Sequence, residues 1–298
     1  MTTQTKVLAS TQTETRITTP DQRKDARERW REAATGMVVP VLAIVLWQWV
    51  AANGWVNPQV LPAPLEVWHK WVAYLLPLTP FDTYTEGGWW SWALSGELPV
   101  DVYSSMVRVV VGFGIGAGLA LPLGLAMGAS RVVYAWMNPF VQILRPIPPI
   151  AYIPLAILWF GLGNPPAVFL IALGAFFPVL MNTIAGVRHV DGIYLRAARN
   201  LGAGGVTMFV RVILPAAVPY ILSGVRIGIG TAFIVVIVSE MIAVNNGLGF
   251  RILEAREYFW SDKIIAGMIT IGMLGLAIDI GMNRLNNYLL RWHRGLEQ

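Results

Sequence analysis

The sequence predicts an all-α membrane protein, a polytopic helical bundle of about six transmembrane helices. Three observations carry that reading. Hydrophobic residues make up 55% of the 298, and only 13% are Asp, Glu, Lys or Arg, about half the charged share of a soluble domain. The mean hydropathy is +0.56. Charge is also segregated: residues 23–31 are dense in it and residues 147–187 have none. Crossing roughly 30 Å of hydrocarbon takes about 20 apolar residues, and several runs are that long. The chain therefore reads as one membrane domain rather than the pair of soluble domains its length would suggest.

Taken in order, residues 1–35 are polar, rich in Thr and Gln, then charged. They hold no apolar core, so a cleaved signal peptide is not expected. The expectation is a cytoplasmic N-terminal arm, disordered over 1–20, with RKDARERWREAA as a surface helix. The permeation domain is placed at 36–283. Its first crossing is 36–53, ending among Trp47, Trp49 and Trp55, which suit an interface. An external segment, 54–101, carries many Trp and Tyr, several carboxylates and one Lys. The further crossings are 102–127, a proline-broken 139–161, 166–186 after the turn GLGNPP, 216–243 and 263–283. Residues 284–298 form a tail.

Lys and Arg in short loops set the orientation. They cluster in the N-terminal arm, at Arg131, at Arg188, Arg196, Arg199 and Arg211, and at Arg284, Arg291 and Arg294. With six crossings all of these lie on one side. Both termini, and the loop at 188–215, are therefore expected in the cytoplasm, with the chain multi-pass in a bacterial inner membrane.

Several function classes are disfavoured. There is no cysteine, which removes disulfides and thiolate metal sites. His69, His189 and His293 are far apart in sequence, so neither a metal cluster nor a membrane-embedded enzyme is indicated. The net charge of +5 follows from basic cytoplasmic loops, and no nucleic-acid partner is called for. No internal repeat is visible, which speaks against many stand-alone secondary transporters. A secondary transporter or channel for a small anion remains the alternative.

The stretch 191–215, DGIYLRAARNLGAGGVTMFVRVILP, is polar and glycine-punctuated between apolar runs. Ala197 and Ala198 give a thin helix that can enter a groove. Gly202 allows the positive φ of a sharp turn. Pro215 suits the start of the next helix, where no amide donor is needed. Arg196 and Arg199 offer charge to a soluble partner. The spacing Ala197-Ala198, three residues, Gly202, nine residues, then Val212-Ile213-Leu214-Pro215 resembles the EAA loop of ABC-importer permeases, E-A-A-x3-G-x9-I-x-L-P. Arg196 stands where that pattern has Glu, which bears on any single ion pair made there rather than on docking.

Further segments are similar to the nitrate/sulfonate/taurine/bicarbonate branch of those permeases. They include LRPIPPIAYIPLAILWFGLG, SEMI followed by NNGLGF, and DKIIAGMITIGMLGLAID. Together the similarity covers roughly residues 100–295. The resemblance implies a type I importer permease fold working as a homodimer in the lipid bilayer. It also implies two ABC ATPase subunits docked on the loop and a periplasmic or lipid-anchored binding protein that delivers the solute. The chain has no GxxxxGK[ST] phosphate loop, so it holds no cofactor of its own, and ATP and Mg would sit on the partner subunits.

Charged residues inside spans default to function. Arg108, Arg226 and Glu240 are therefore candidates for the translocation path, the alternatives being pairing within the bundle or snorkelling to an interface. With Arg145, three cations suit a small anion: a sulfonate such as taurine, nitrate or bicarbonate. Asn182, Thr183 and Ser239 either line a cavity or bond helix to helix. Pro148, with Pro146, Pro149 and Pro154, breaks the backbone at membrane depth, where only protein or water can cover it. Asp279 reads as interfacial or ion-paired. Gly112, Gly114, Gly116 and Gly118 suit close helix packing or a dimer seam.

Overall fold

The computed structural model describes residues 26–77 and 88–290, without the side chains of residues 26–34 and 90. The expected disorder over 1–20, Asp82 and Glu86 of the external segment, and Arg291 and Arg294 of the tail lie outside the described residues. Every regular element among the described residues is helical.

Residues up to Trp55 form one unit and Val56 onward a second. The first unit holds α1, Ala26–Ala52. The helix runs unbroken through Gly36, where the first crossing is expected to begin, because a single helical glycine costs only about 1 kcal/mol. The stretch Thr35–Ala52 is long and apolar enough to cross a membrane. Trp49 and Trp55 meet edge to face, with ring centroids 4.8 Å apart.

The second unit is the bundle. Its helices are α2 (Pro64–Leu75), α3 (Trp89–Ala93), α4 (Glu97–Ala129), α5 (Arg131–Leu144), α6 (Ile153–Phe160), α7 (Asn164–Arg188), α8 (Gly192–Asn200), α9 (Gly205–Met208), α10 (Leu214–Ala243), α11 (Leu248–Glu257) and α12 (Ser261–Leu289). The spans α4, α7, Gly205–Ala243 and α12 pass the same test of length and apolarity as α1. Helix α5 and the segment Pro149–Phe160 pass the test together but are bent by 83° at their break, the geometry of a broken span or a re-entrant loop. Six crossings follow if that bent pair counts as one. A proline cannot donate to the helical ladder and clashes with the carbonyl four residues back. Four prolines between 146 and 154 therefore keep the chain from running straight.

Helix α7 is the centre of the bundle, its span window 56% buried against 33% for α4 and 17% for α12. Glycine stripes make that possible. On α4, Gly112, Gly116, Gly124 and Gly128 lie four residues or a multiple of four apart on one face. A Cβ added at any of them would collide with α7, at Ile171, Ala172, Thr183 or Val187. Across the other side of α7, Gly224 and Gly228 of α10 are equally tight. Small residues let backbones approach closely where the lipid supplies no hydrophobic drive between helices.

The expected run of four packing glycines is thus split. Gly112 and Gly116 face α7, whereas Gly114 and Gly118 face open space. Gly116→Ala should therefore lower the melting midpoint in detergent, by about 1–3 kcal/mol of overpacking. Gly118→Ala, whose Cβ meets nothing, should not lower the midpoint and should raise it slightly, by up to about 1 kcal/mol.

Candidate functional site

Three features carry chemistry. The first is a buried knot of charge where α4, α10 and α11 meet. Asp101, Ser105 and Arg108 are spaced i, i+4, i+7 on α4, so they share a face. All three are buried, as is Glu240 one turn from the end of α10. Arg108 Nη1 lies 2.6 Å from Glu240 Oε1, and Ser105 donates to Glu240 Oε2 at 2.9 Å. Arg108 also donates to Asn164 Oδ1 at 2.7 Å, to the Asn246 carbonyl at 3.1 Å, and to Asn246 Oδ1. The backbone N–H of Gly249 donates to Glu240 at 3.0 Å.

A second pair adjoins the first. Arg251 Nε is 2.8 Å from Asp101 Oδ2, and the Gly247 N–H donates to Asp101 Oδ1 at 2.9 Å. Gly247 has φ +104°, and a Cβ there would sit 2.6 Å from the Glu240 carboxylate, so only glycine fits. Tyr74 donates to Asp101 at 2.9 Å. Burial and the Asp101 charge push its phenol well above the ordinary range, so it stays a donor. Burial works against the Arg251 charge, but the hydrogen bonds it donates to Glu254 and Asp101 outweigh that and hold its pKa above the usual value. Opposite charges thus close on each other, and each buried oxygen finds donors, as a charge deep in protein requires.

The second feature is a cavity of about 360 Å³ at the bend of the broken span. Arg145, Pro148, Pro149, Asn182 and Thr231 are among its lining residues.

The third is the polar stretch after α7. Asp191 caps α8, its carboxylate accepting from the Ile193 N–H at 2.9 Å. At the other end, the Ala203 N–H donates to the Ala198 carbonyl and the Gly202 N–H to that of Arg199, both at 2.9 Å. Gly202 has φ +80°. That pairing is a Schellman motif. Helix α8 has no buried residue. Ile193, Tyr194, Leu201 and Val206 are all more than half exposed, and Arg196, Ala197 and Arg199 are exposed beside them. Gly202→Ala should weaken the cap by about 1–2 kcal/mol, the cost of a side chain in the left-handed region. Faster proteolytic nicking between 198 and 206 is the expected readout.

Pro215 stands in the first turn of α10, as expected from the sequence, but no loop precedes that helix. Residues Gly205–Ala243 run as one helix of 39 residues, with a π turn at Phe209–Ile213 in which the Leu214 N–H reaches back to the Phe209 carbonyl. The widened turn takes up the proline's missing donor and steric demand, and Leu214 and Pro215 follow it directly.

The other candidates are placed as follows. Arg108 and Glu240 pair with each other rather than snorkelling. Arg226 pairs with Asp279 at 2.6 Å, both side chains nearly half exposed. Thr183 and Ser239 are buried between helices, donating to the Val179 and Val236 carbonyls of their own helices, and neither lines the cavity. Pro148 and Asn182 do line it. Sequence reasoning missed Asp101, Ser105, Asn164, Asn246, Arg251 and Thr231. The i, i+4, i+7 spacing of Asp101, Ser105 and Arg108 was the available signal.

Residues 118–295 match the inner membrane component of binding-protein-dependent transport systems. The chain belongs to this permease family. The permease is 33% identical to the taurine transport permease TauC of Escherichia coli, covering 90% of this chain and 94% of that protein. It is 35% identical to a Bacillus subtilis permease named for aliphatic sulfonates, SsuC, over 93% of each chain. It is 33% identical to the nitrate import permease NrtB of Synechocystis, over 81% and 84%. In fold it is similar to the inward-facing MetNI methionine transporter, at a TM-score of 0.57 and 18% identity, covering 64% of this chain and 94% of that one. The permease is therefore the multi-pass inner-membrane transport subunit of an ABC importer with the type I permease fold. ATP hydrolysis belongs to separate ATPase subunits, and a solute-binding protein serves the same system.

Proposed function

We propose that this permease carries a small oxyanion, an organic sulfonate such as taurine, nitrate or bicarbonate, and that the stretch 191–215 is where its two ATPases dock. The observation that carries the docking is α8: a helix capped at both ends with no fully buried residue, Ile193 and Tyr194 exposed on it and Leu201 and Val206 exposed just beyond it. A helix prepared in this way and left apolar on its outer side suits insertion into a partner's groove. Arg196, Ala197, Ala198, Arg199 and Gly202 form that surface, and the helical run through Leu214 and Pro215 transmits its movement into the bundle.

The distribution of Lys and Arg supports a cytoplasmic loop and cytoplasmic termini. Two copies of the permease in lipid would enclose the path, with ATP and Mg held by the partner subunits. ATP-driven closure of those subunits would draw the two docking helices together and shift the bundle between inward- and outward-open states. Sulfonate and nitrate relatives support the anion. The test is the complete complex in liposomes, with its binding protein, offered taurine, nitrate and bicarbonate in turn. ATP-dependent uptake of at least one is expected, and uptake of cationic or neutral solutes alone would overturn the anion assignment.

A further inference from the structure

We infer that the cavity at the broken span is an oxyanion site and that Arg145 is the side chain that reads the anion. The inference rests on the importer reading above and adds the place and the contact. Three arginines lie well within the spanning segments or at the break between them. Arg108 is closed by Glu240 and Arg226 by Asp279, each at 2.6 Å. Arg145 has no carboxylate and no side-chain hydrogen bond among the described residues, and it lines the cavity. Arg145 is exposed in the single chain, and a cation at membrane depth must face water or protein rather than lipid, so one without a carboxylate beside a cavity suits an anion that comes and goes.

Depth agrees. Gly174 is ten residues into α7, about 15 Å along it, and Thr231 is twelve residues before the end of α10, about 18 Å from it. Both line the cavity. The space therefore opens near the middle of a hydrocarbon layer roughly 30 Å thick, and continues toward Asn182. Broken helices at mid-depth are where transporters place solute.

Size and chemistry agree as well. About 360 Å³ falls at the lower end of small-molecule sites, enough for an anion of a few heavy atoms and accompanying water. The flat guanidinium fork matches the two-oxygen edge shared by sulfonate, nitrate and bicarbonate. Asn182 spends one amide hydrogen on the Pro178 carbonyl at 2.9 Å, which leaves its second to donate. Thr231 donates to the Ile227 carbonyl at 2.9 Å and can turn its hydroxyl toward an oxyanion instead. Phe177, Pro148 and Ile147 supply the apolar remainder of the wall, suited to the short carbon chain of an organic sulfonate.

The absence of cysteine makes the test direct. Thr231→Cys in the full chain, with its partners in membrane vesicles, supplies a single thiol in the cavity. Its reaction rate is compared for an anionic sulfonatoethyl and a cationic trimethylammonium-ethyl methanethiosulfonate, each normalised to a free thiol. The anionic reagent should react roughly tenfold faster for one nearby uncompensated charge. Adding Arg145→Gln should erase the preference, and Arg145→Lys should restore it. Millimolar taurine or nitrate should slow the reaction. A thiol that no reagent reaches, equal rates for both reagents, or a preference that survives Arg145→Gln would each overturn the site. Uptake separates this from the importer reading. A complex that imports an anion while the thiol of Thr231→Cys shows no preference sinks the site alone. A complex that imports none while the preference persists sinks the importer reading and leaves the site.

Discussion

Glu240→Gln is expected to destabilise the bundle by about 3–5 kcal/mol, the cost of leaving a buried charge without its partner. Arg108 would keep its full charge at 4% exposure and face a neutral amide. The damage should extend beyond that pair. Glu240 accepts from Ser105, Arg108 and the Gly249 backbone, so three donors from α4 and α11 lose their anion together. A melting midpoint in detergent, read alongside Arg108→Met, checks the magnitude. The double change Arg108→Met with Glu240→Leu should recover much of the loss, because replacing a buried pair with apolar side chains removes its desolvation penalty along with its attraction. A single Glu240→Gln variant that melts with the wild-type chain would show that the knot does not hold α4, α10 and α11 together.

The second large effect concerns coupling. Replacing Ala197 and Ala198 with Trp should abolish co-purification of the ATPases and ATP-driven uptake, while the permease itself stays folded. Helix α8 has no fully buried residue, Ala197 being exposed and Ala198 half-buried, so bulk added there meets little of the chain's own interior. The contrast with Gly116→Ala is the diagnostic one. That change strains the α4–α7 contact and should lower stability first, whereas the α8 change should leave the melting midpoint unmoved and remove only the partners. A pair of Trp substitutions that still retained the ATPases would place their docking surface elsewhere.

Much of this architecture was legible in the sequence because membrane spans are written in long apolar runs. The turn at Gly202 was legible too, since the left-handed region at a helix end calls for glycine and the spacing around it was distinctive. Other features needed three dimensions. Starting the second crossing at residue 102 cut Asp101 away from Ser105 and Arg108, so one charged face of α4 was read as an isolated arginine. Glu240 looked like a lone intramembrane carboxylate because its partner is 132 positions away. Four prolines announced a break near residue 148, but not that the two halves would turn by 83° and leave a cavity at the corner. Pro215 was legible as a first-turn residue of α10, but the π turn that joins this helix directly to Gly205–Met208 has no apolar pattern of its own to announce it. Nothing in the order of residues distinguished Arg145 from Arg108 and Arg226. Only the positions of Glu240 and Asp279 show which of the three lacks a counter-charge.

The central claim is that this permease moves an anion with power delivered from outside the chain, through the stretch at 191–215. The measurement that tests it most directly is uptake of radiolabelled taurine or nitrate by liposomes holding the complete complex and its binding protein, with and without internal ATP, and with an imposed ion gradient. The account predicts uptake that requires ATP, ignores the gradient, and vanishes with Trp at positions 197 and 198. Uptake that persisted after ATP depletion and followed the gradient would contradict it.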